Sequence, residues 1–417
     1  MDIELGFKTT PGGDVPFFIN PHLHTWLLGK SGTGKSTAML AGIVGAMRTH
    51  QGLAVEDPHG DLIDQALQYV PLDRLKDVVL IDLQSPKLPG VGYFDGKNKE
   101  LSLQNFMSNI EARAGKGWGP RTAEILRGAA DAVLDAYKAP TILDVYKVLS
   151  RKWFADSLMR QSKNPLVQDF YTRWFSKQVS AKDRMEAFSH PLNKIDELMR
   201  PGVREIVAQK KSLRWDRLMD ERKIVFIRLP KGEIGTNPAK IIGALCLMNI
   251  NLAAPRRKKR RNQFTVFVDE IHNFLDGIDF EMMLAELRKY GVNFFFATQT
   301  TAQMRDEDRK IWNDEIAFGN CSTVISFRVG GKDSEKIALN CADEDGAPSL
   351  VRLANYNFYA WTLRDGLPVL EGPVTTYPAP EKRGDEVPVQ KALAWARENT
   401  GTKRSIVEAD IENRLRR

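Results

Sequence analysis

Two hydrophobic rhythms alternate along this chain. Short, nearly continuous apolar runs fall at 24–28 (HTWLL), 52–57, 78–83, 223–229, 264–268, 292–297, 323–327 and 357–363. Between them lie segments whose apolar residues recur three and four apart, as in 36–47 (STAMLAGIVGAM). The first kind predicts strands buried on both faces, the second helices, and their alternation predicts an α/β fold with a mostly parallel sheet. From 98 to 222 only the helical rhythm is present: Ile125, Leu126, Ala129, Ala132 and Val133, then Leu143, Tyr146, Val148 and Leu149. Pro120, Pro140, Pro165, Pro191 and Pro201 divide that stretch into short helices. The pattern therefore predicts one α/β domain in two parts, 1–97 and 223–372, split by an all-α insertion at 98–222. Beyond Pro373 the chain turns polar and proline-rich, with helical patterns at 388–398 and 404–416 that read as an appended tail, 373–417. The longest apolar stretch, 241–254 (IIGALCLMNINLAA), is too short to cross a bilayer and predicts a buried helix.

Composition narrows this only mildly. The 417 residues are 42% hydrophobic, enough for an ordinary core, and the net charge of +7 leans toward a polyanionic partner. Cys246, Cys321 and Cys341 have no CxxC spacing, so neither a disulfide framework nor a zinc site is expected, and a reducing cytoplasm is the simplest compartment. Residues 1–20 carry both charges and no apolar run, which does not read as a signal peptide.

The chemistry begins at Gly29-Lys30-Ser31-Gly32-Thr33-Gly34-Lys35-Ser36, which fits GxxxxGK[ST] between a strand and a helix. Such a loop aims backbone N–H groups and a helix N-terminus at phosphate oxygens, with Thr37 in the first turn. Lys35 is expected to reach the β- and γ-phosphates of ATP, and Ser36 to ligate Mg²⁺. Phe264 to Glu270 (FTVFVDE) is an apolar strand ending in two acids: Asp269 for Mg²⁺, Glu270 to orient and deprotonate the attacking water. The next strand ends in FFFATQTT, where Gln299, with Thr298 second, is placed to sense the γ-phosphate. Arg288, in LRKYGV, is the candidate to project into a neighbouring subunit's site, with Lys289 and Arg328 as competitors. Asp57, His59 and Asp61 in DPHGDL have metal-ligand spacing, but a strand ending beside the phosphate loop favours a loop-shaping or nucleotide-site role.

Taken in order, HTWLLGKSGTGKST, VEDPHGDL, WGPRTAEILRGA, VFVDEIHNF, LRKYGVNFFFATQT and ISFRVGGKDSEKIA resemble the HerA/FtsK superfamily of P-loop ATPases. The nearest branch is the cytoplasmic ATPases related to conjugative (type IV secretion) coupling proteins. The resemblance, over roughly 20–370, implies a RecA-like motor core with an all-α insertion, a homo-oligomer of six subunits, and ATP-driven movement of DNA. It assigns Lys35, Ser36, Asp269, Glu270, Gln299 and Arg288 the roles given above. Coupling proteins carry N-terminal membrane helices and HerA proteins an N-terminal barrel; a phosphate loop at residue 29 leaves room for neither, so a bare motor is expected, with a separate targeting, nuclease or relaxase partner.

Two basic features bear on DNA. Six cations run from Arg256 to Arg261, either contacting phosphates or forming a solvated loop. In the insertion, Lys147, Arg151, Lys152 and Arg160 accompany Trp153 and Phe154, which could touch DNA or pack in a core. Two other functions fit the same motifs: a type IV secretion ATPase acting on protein, and a nucleotide-dependent oligomeric scaffold for an effector.

Overall fold

The structure, a computed structural model, describes residues 2–94, 98–114, 117–306, 311–341 and 350–416. Its centre is an 11-stranded sheet. In chain order the strands are β1 Ile3–Thr10, β2 Gly13–Ile19, β3 Thr25–Leu28, β4 Gly52–Asp57, β5 Val78–Asp82, β6 Ile224–Arg228, β7 Phe264–Val268, β8 Val292–Thr298, β9 Thr323–Ser326, β10 Asn357–Arg364 and β11 Leu367–Thr376. Across the sheet they run β2-β1-β11-β10-β9-β3-β8-β7-β4-β6-β5. Every pairing from β9 to β5 is parallel; β1, β2, β10 and β11 extend the sheet antiparallel.

The apolar runs look continuous because successive side chains enter opposite, equally buried faces. Trp26, Leu28, Phe294 and Phe296 belong to one hydrophobic cluster, while Leu27, Phe295 and Ala297 belong to the other. The second face is covered by α1 (Lys35–Arg48) and α2 (Asp61–Ala66), which follow β3 and β4 directly. Helices α3 Lys99–Ala114, α4 Pro120–Ala136, α5 Ile142–Ser150, α6 Lys152–Met159, α7 Pro165–Phe175, α8 Ala181–Asp196, α9 Val203–Val207 and α10 Trp215–Asp220 make up the segment between β5 and β6. Their buried residues join the first face's cluster without a break, so the sheet and the helical segment share one core there.

After β6 come α11 (Lys231–Ile234) and α12 (Thr236–Ala253). The apolar helix is longer than its sequence signature suggested. By length and composition, 236–256 could cross a membrane, yet 72% of its most apolar window is buried inside the fold. Short helices α13 (Phe280–Glu286), α14 (Asn313–Asn320) and α15 (Gly331–Cys341) complete the second part.

Residues 389–416 are docked rather than loosely appended. Helix α16 (Val389–Asn399) lies against edge strand β5, where Thr400 Oγ1 accepts from the Leu80 N–H at 3.2 Å. Thr402–Lys403 pair antiparallel with Lys87–Leu88. From α17 (Arg404–Arg416), Arg404 pairs with Glu205 at 2.6 Å, and Arg414 donates to the Ala208 carbonyl at 2.6 Å and pairs with Asp144 at 3.3 Å.

Candidate functional site

The strand-loop-helix unit forms as its sequence predicts. Gly34 caps α1 at φ 117°, and an added Cβ would stand 3.0 Å from Phe327 and 3.1 Å from the Tyr356 backbone, so a side chain there would be strained and crowded. The loop is held from both sides. Lys30 N–H donates to the Arg328 carbonyl at 2.9 Å, and Tyr356 N–H donates to the Thr33 carbonyl at 2.7 Å. Lys35 is folded back, its Nζ donating to the carbonyls of Gly29 (2.5 Å) and Lys30 (3.0 Å). Burial lowers its pKa, and Asp269 and Glu270 act against that. Ser31, Gly32 and Ser36 face outward, free to meet a ligand.

In front of the loop is a cavity of about 350 Å³, lined among others by Lys35, Ser36, Thr37, Asp269, Glu270 and Gln299. These groups meet because parallel strands deliver their C-terminal ends to one edge. Asp57 closes β4 by accepting from the backbone N–H groups of His59 (2.8 Å), Leu62 (2.8 Å) and Ile63 (3.2 Å), which turns the chain into α2. Those bonds shape the loop, and Asp57, His59 and Asp61 also line the cavity, so the segment has features of both roles that the DPHGDL pattern offered. Asp269, at the end of β7, has its pKa raised to about 6 by burial, with Asp57 and Glu270 adding to the effect. A single acidic group of this kind suits Mg²⁺, which takes one or two protein oxygens and leaves its other positions to phosphates and water. The residues that fit are Asp269 and the Ser36 hydroxyl.

Glu270 has φ 46°, a left-handed conformation rare outside glycine. Its Oε1 accepts from Gln299 Nε2 at 2.7 Å, and its Oε2 lies 3.1 Å from His59 Nε2, 3.2 Å from Lys231 Nζ and 3.2 Å from Asn273 Nδ2. Burial alone would raise its pKa, but the bonds from His59 and the charge and bond of Lys231 prevail and hold it at about 2. Lys231 and Asn273 were not singled out by the sequence reading. The available signals were weak: a lysine just past a strand in RLPKGE, and an asparagine three positions after Glu270. Tyr356, half exposed at φ 65° on the cavity wall, was missed as well.

Other candidates lie elsewhere. Thr298 is fully buried, and its hydroxyl accepts from Trp26 Nε1 at 2.9 Å, which removes the second sensor candidate from the site. Arg288 does not enter its own chain's cavity: it precedes β8, at the edge where the parallel strands begin, and is exposed. Lys289 there pairs with Glu286 at 3.0 Å, and the Arg328 guanidinium donates to the Leu353 carbonyl at 3.2 Å. The six-cation run is not uniformly solvated. Arg257 is buried, pairing with Asp220 at 3.2 Å and donating to the carbonyls of Tyr290 and Gly291, both at 2.9 Å. In the insertion, Lys147 is buried with its Nζ 3.9 Å from the Phe154 ring centroid, and Lys152 and Arg160 both pair with Asp156. Lys147 and Phe154 are thus packed inside, whereas Lys152, Trp153 and Arg160 stay exposed.

Known proteins match this architecture. The family described as the TraM recognition site of TraD and TraG matches residues 263–341, the segment from β7 to α15 that carries Asp269, Glu270 and Gln299. No curated protein matches the sequence. Among solved structures, the bacterial conjugative coupling protein TrwBdeltaN70 aligns with TM-score 0.62 at 13% identity, over 88% of each chain. TrwB in complex with ADP and Mg²⁺ gives 0.61 at 14%, again over 88% of each. VirB4 of Thermoanaerobacter pseudethanolicus gives 0.66 at 13%, over 91% of this chain and 96% of that one. The fold is therefore the RecA-like P-loop ATPase fold of the conjugation and type IV secretion proteins.

Proposed function

We propose that this chain is an ATPase that moves DNA, acting as a ring of about six identical subunits beneath a secretion or conjugation machine. One observation carries the reading: Lys35, Ser36, Asp269, Glu270 and Gln299 line a single cavity at the C-terminal edge of the parallel sheet. Lys35 leaves the Gly29 and Lys30 carbonyls for the β- and γ-phosphates, while the loop's N–H groups and the start of α1 bind the rest of the phosphate chain. Ser36 and Asp269 would hold Mg²⁺, which would supply charge neutralisation at the phosphates. Glu270 orients a water. As the water oxygen bonds to the γ-phosphorus, its proton passes to Glu270 and the bond to the bridging oxygen breaks. ADP departs with that electron pair. Gln299 reads the γ-phosphate. Arg288, at the other edge of the sheet, completes a neighbour's site.

DNA as the cargo is supported by likeness to the coupling protein TrwB and by the excess positive charge. The TraM-recognition match supports a DNA-processing protein as partner. A second reading, an ATPase that acts on protein during type IV secretion, is favoured by the fit to VirB4. In both readings the chain works on the cytoplasmic side.

Steady-state ATP hydrolysis, with and without double-stranded DNA and across a salt series, separates the two. Stimulation that fades as salt rises supports the DNA motor, because phosphate contacts release counterions. Hydrolysis indifferent to DNA at every salt concentration sinks it in favour of the protein-handling reading.

A further inference from the structure

Among the described residues, four side chains converge on the Glu270 carboxylate, and only Gln299 has been given a task. Each carboxylate oxygen offers about two lone-pair positions, so three donors crowd one oxygen while a single donor leaves the other a position for a water proton. The donors are unevenly divided: Gln299 alone on Oε1, and Lys231, Asn273 and His59 together on Oε2.

Backbone geometry places these donors deliberately. Glu270 ends β7; Gln299 follows β8 on one side and His59 follows β4 on the other. Lys231 follows β6, one strand further out, and its own N–H donates to the Pro58 carbonyl at 2.9 Å, while Leu229 N–H donates to Asp57 at 3.0 Å. The segment carrying Lys231 is thus tied to the turn carrying His59. Asn273 donates both to the Glu270 carbonyl (2.9 Å) and to Oε2, bracing backbone and side chain together. The left-handed backbone at Glu270 is a conformation that persists only where its surroundings over-determine it. With the Lys231 side chain 28% and the Glu270 side chain 14% exposed, the pair is better shielded than a surface ion pair.

Building on the ATPase reading above, we infer that Lys231, helped by Asn273 and His59, is a positioning residue. It pins Oε2 so that Oε1, held by Gln299 alone, is the oxygen that turns to the attacking water.

The test uses the full chain and its Lys231→Met, Lys231→Arg and Asn273→Ala variants. ATP hydrolysis, nucleotide affinity and thermal midpoint are measured for each beside the unaltered protein. Lys231→Met should lose roughly tenfold or more in kcat, the scale on which a misplaced catalytic group is felt. Its KM for ATP should stay within about threefold and its midpoint within about 2 °C. Lys231→Arg should recover part of the loss, because it restores a donor and a charge. Asn273→Ala should repeat the pattern more weakly, and it decides the matter if Lys231→Met does not fold. Turnover within about twofold of the unaltered chain, or a rise in turnover, overturns the inference, as does a KM that climbs in step with the fall in kcat. If the unaltered chain hydrolyses no ATP, the ATPase reading and this inference fall together. If it hydrolyses ATP and Lys231→Met does so equally well, only the inference falls.

Discussion

Where the parallel strands begin, buried guanidiniums donate to backbone carbonyls; where they finish, carboxylates collect donors from neighbouring strands. At the beginning edge, Arg74 is 2% exposed and donates to the carbonyls of Met47 (3.2 Å) and Gln51 (2.8 Å), and also to that of Arg222. Arg257 does the same for Tyr290 and Gly291. Between them they tie down the entries to β4, β6 and β8. Their acceptors are backbone groups, whose needs do not change through a catalytic cycle. At the finishing edge the shared acceptor is one side chain, Glu270. On the function proposed above, one end of the sheet stays while the other rearranges, its movable groups carried on fixed supports.

Substitutions at the two edges should therefore fail in different ways. The largest effect is expected of Glu270→Gln: turnover lower by about 10²–10⁴-fold, the usual share of a general base, with ATP binding retained. Single-turnover assays beside equilibrium binding would read this. Normal turnover would mean the base lies elsewhere.

Arg257→Met should act on stability instead. It leaves several carbonyls without a donor and Asp220 with only the Lys258 and Lys259 N–H groups, and breaking a buried charge pair costs about 3–5 kcal/mol, visible as a lower urea midpoint. A loss under about 1 kcal/mol would erase the contrast between the edges. Gly34→Ala sits between the two, since it strains a backbone at φ 117° against Phe327 and Tyr356. About 1–3 kcal/mol of strain is expected, measured as weaker nucleotide binding together with a lowered thermal midpoint.

The smallest effect concerns a carboxyl that belongs to neither edge pattern. Glu56 is fully buried beneath α12, with both side-chain oxygens lacking a hydrogen-bond partner among the described residues and its pKa driven well above the usual range by burial. The folded chain therefore holds a proton there that the unfolded chain releases. Stability from this group is complete below the ordinary glutamate pKa and falls as pH rises from there toward the raised folded value. Glu56→Gln should gain about 1 kcal/mol at roughly pH 8 and little at roughly pH 4, read from thermal midpoints across pH. A gain independent of pH would mean that charge is not the cause.

What the sequence disclosed and withheld follows from range. The phosphate loop is legible because its strand, glycines and helix are contiguous. The seven parallel strands are legible because each is buried on both faces and reads apolar on its own. β11 was not foreseen: Pro368, Gly372 and Pro373 speak against a strand, and only Asp365-Gly366, a favoured hairpin pair with both φ angles positive, marks its turn. β1 and β2 were passed over, since Pro16 and three glycines break their alternation. The donors to Glu270 come from 39 residues away in Lys231 and 211 in His59, and parallel register alone brings them together. Within the basic run, six identical signs concealed that Arg257 is an internal strut, because its acceptors are carbonyls, which have no sequence signature.

The docking of 389–416 has a consequence for how the molecule is made. Every strand of the sheet and every helix of the insertion leaves the ribosome before this segment does. Until it arrives, β5 is an open edge with the Leu80 N–H unanswered, and Glu205, Asp144 and the Ala208 carbonyl lack their arginines. An uncovered edge strand is an invitation to pair with another chain. Nascent chains on neighbouring ribosomes are thus exposed to one another for the time it takes to add about thirty residues, roughly 1.5–6 s at 5–20 residues per second. Chaperone demand should concentrate in that interval.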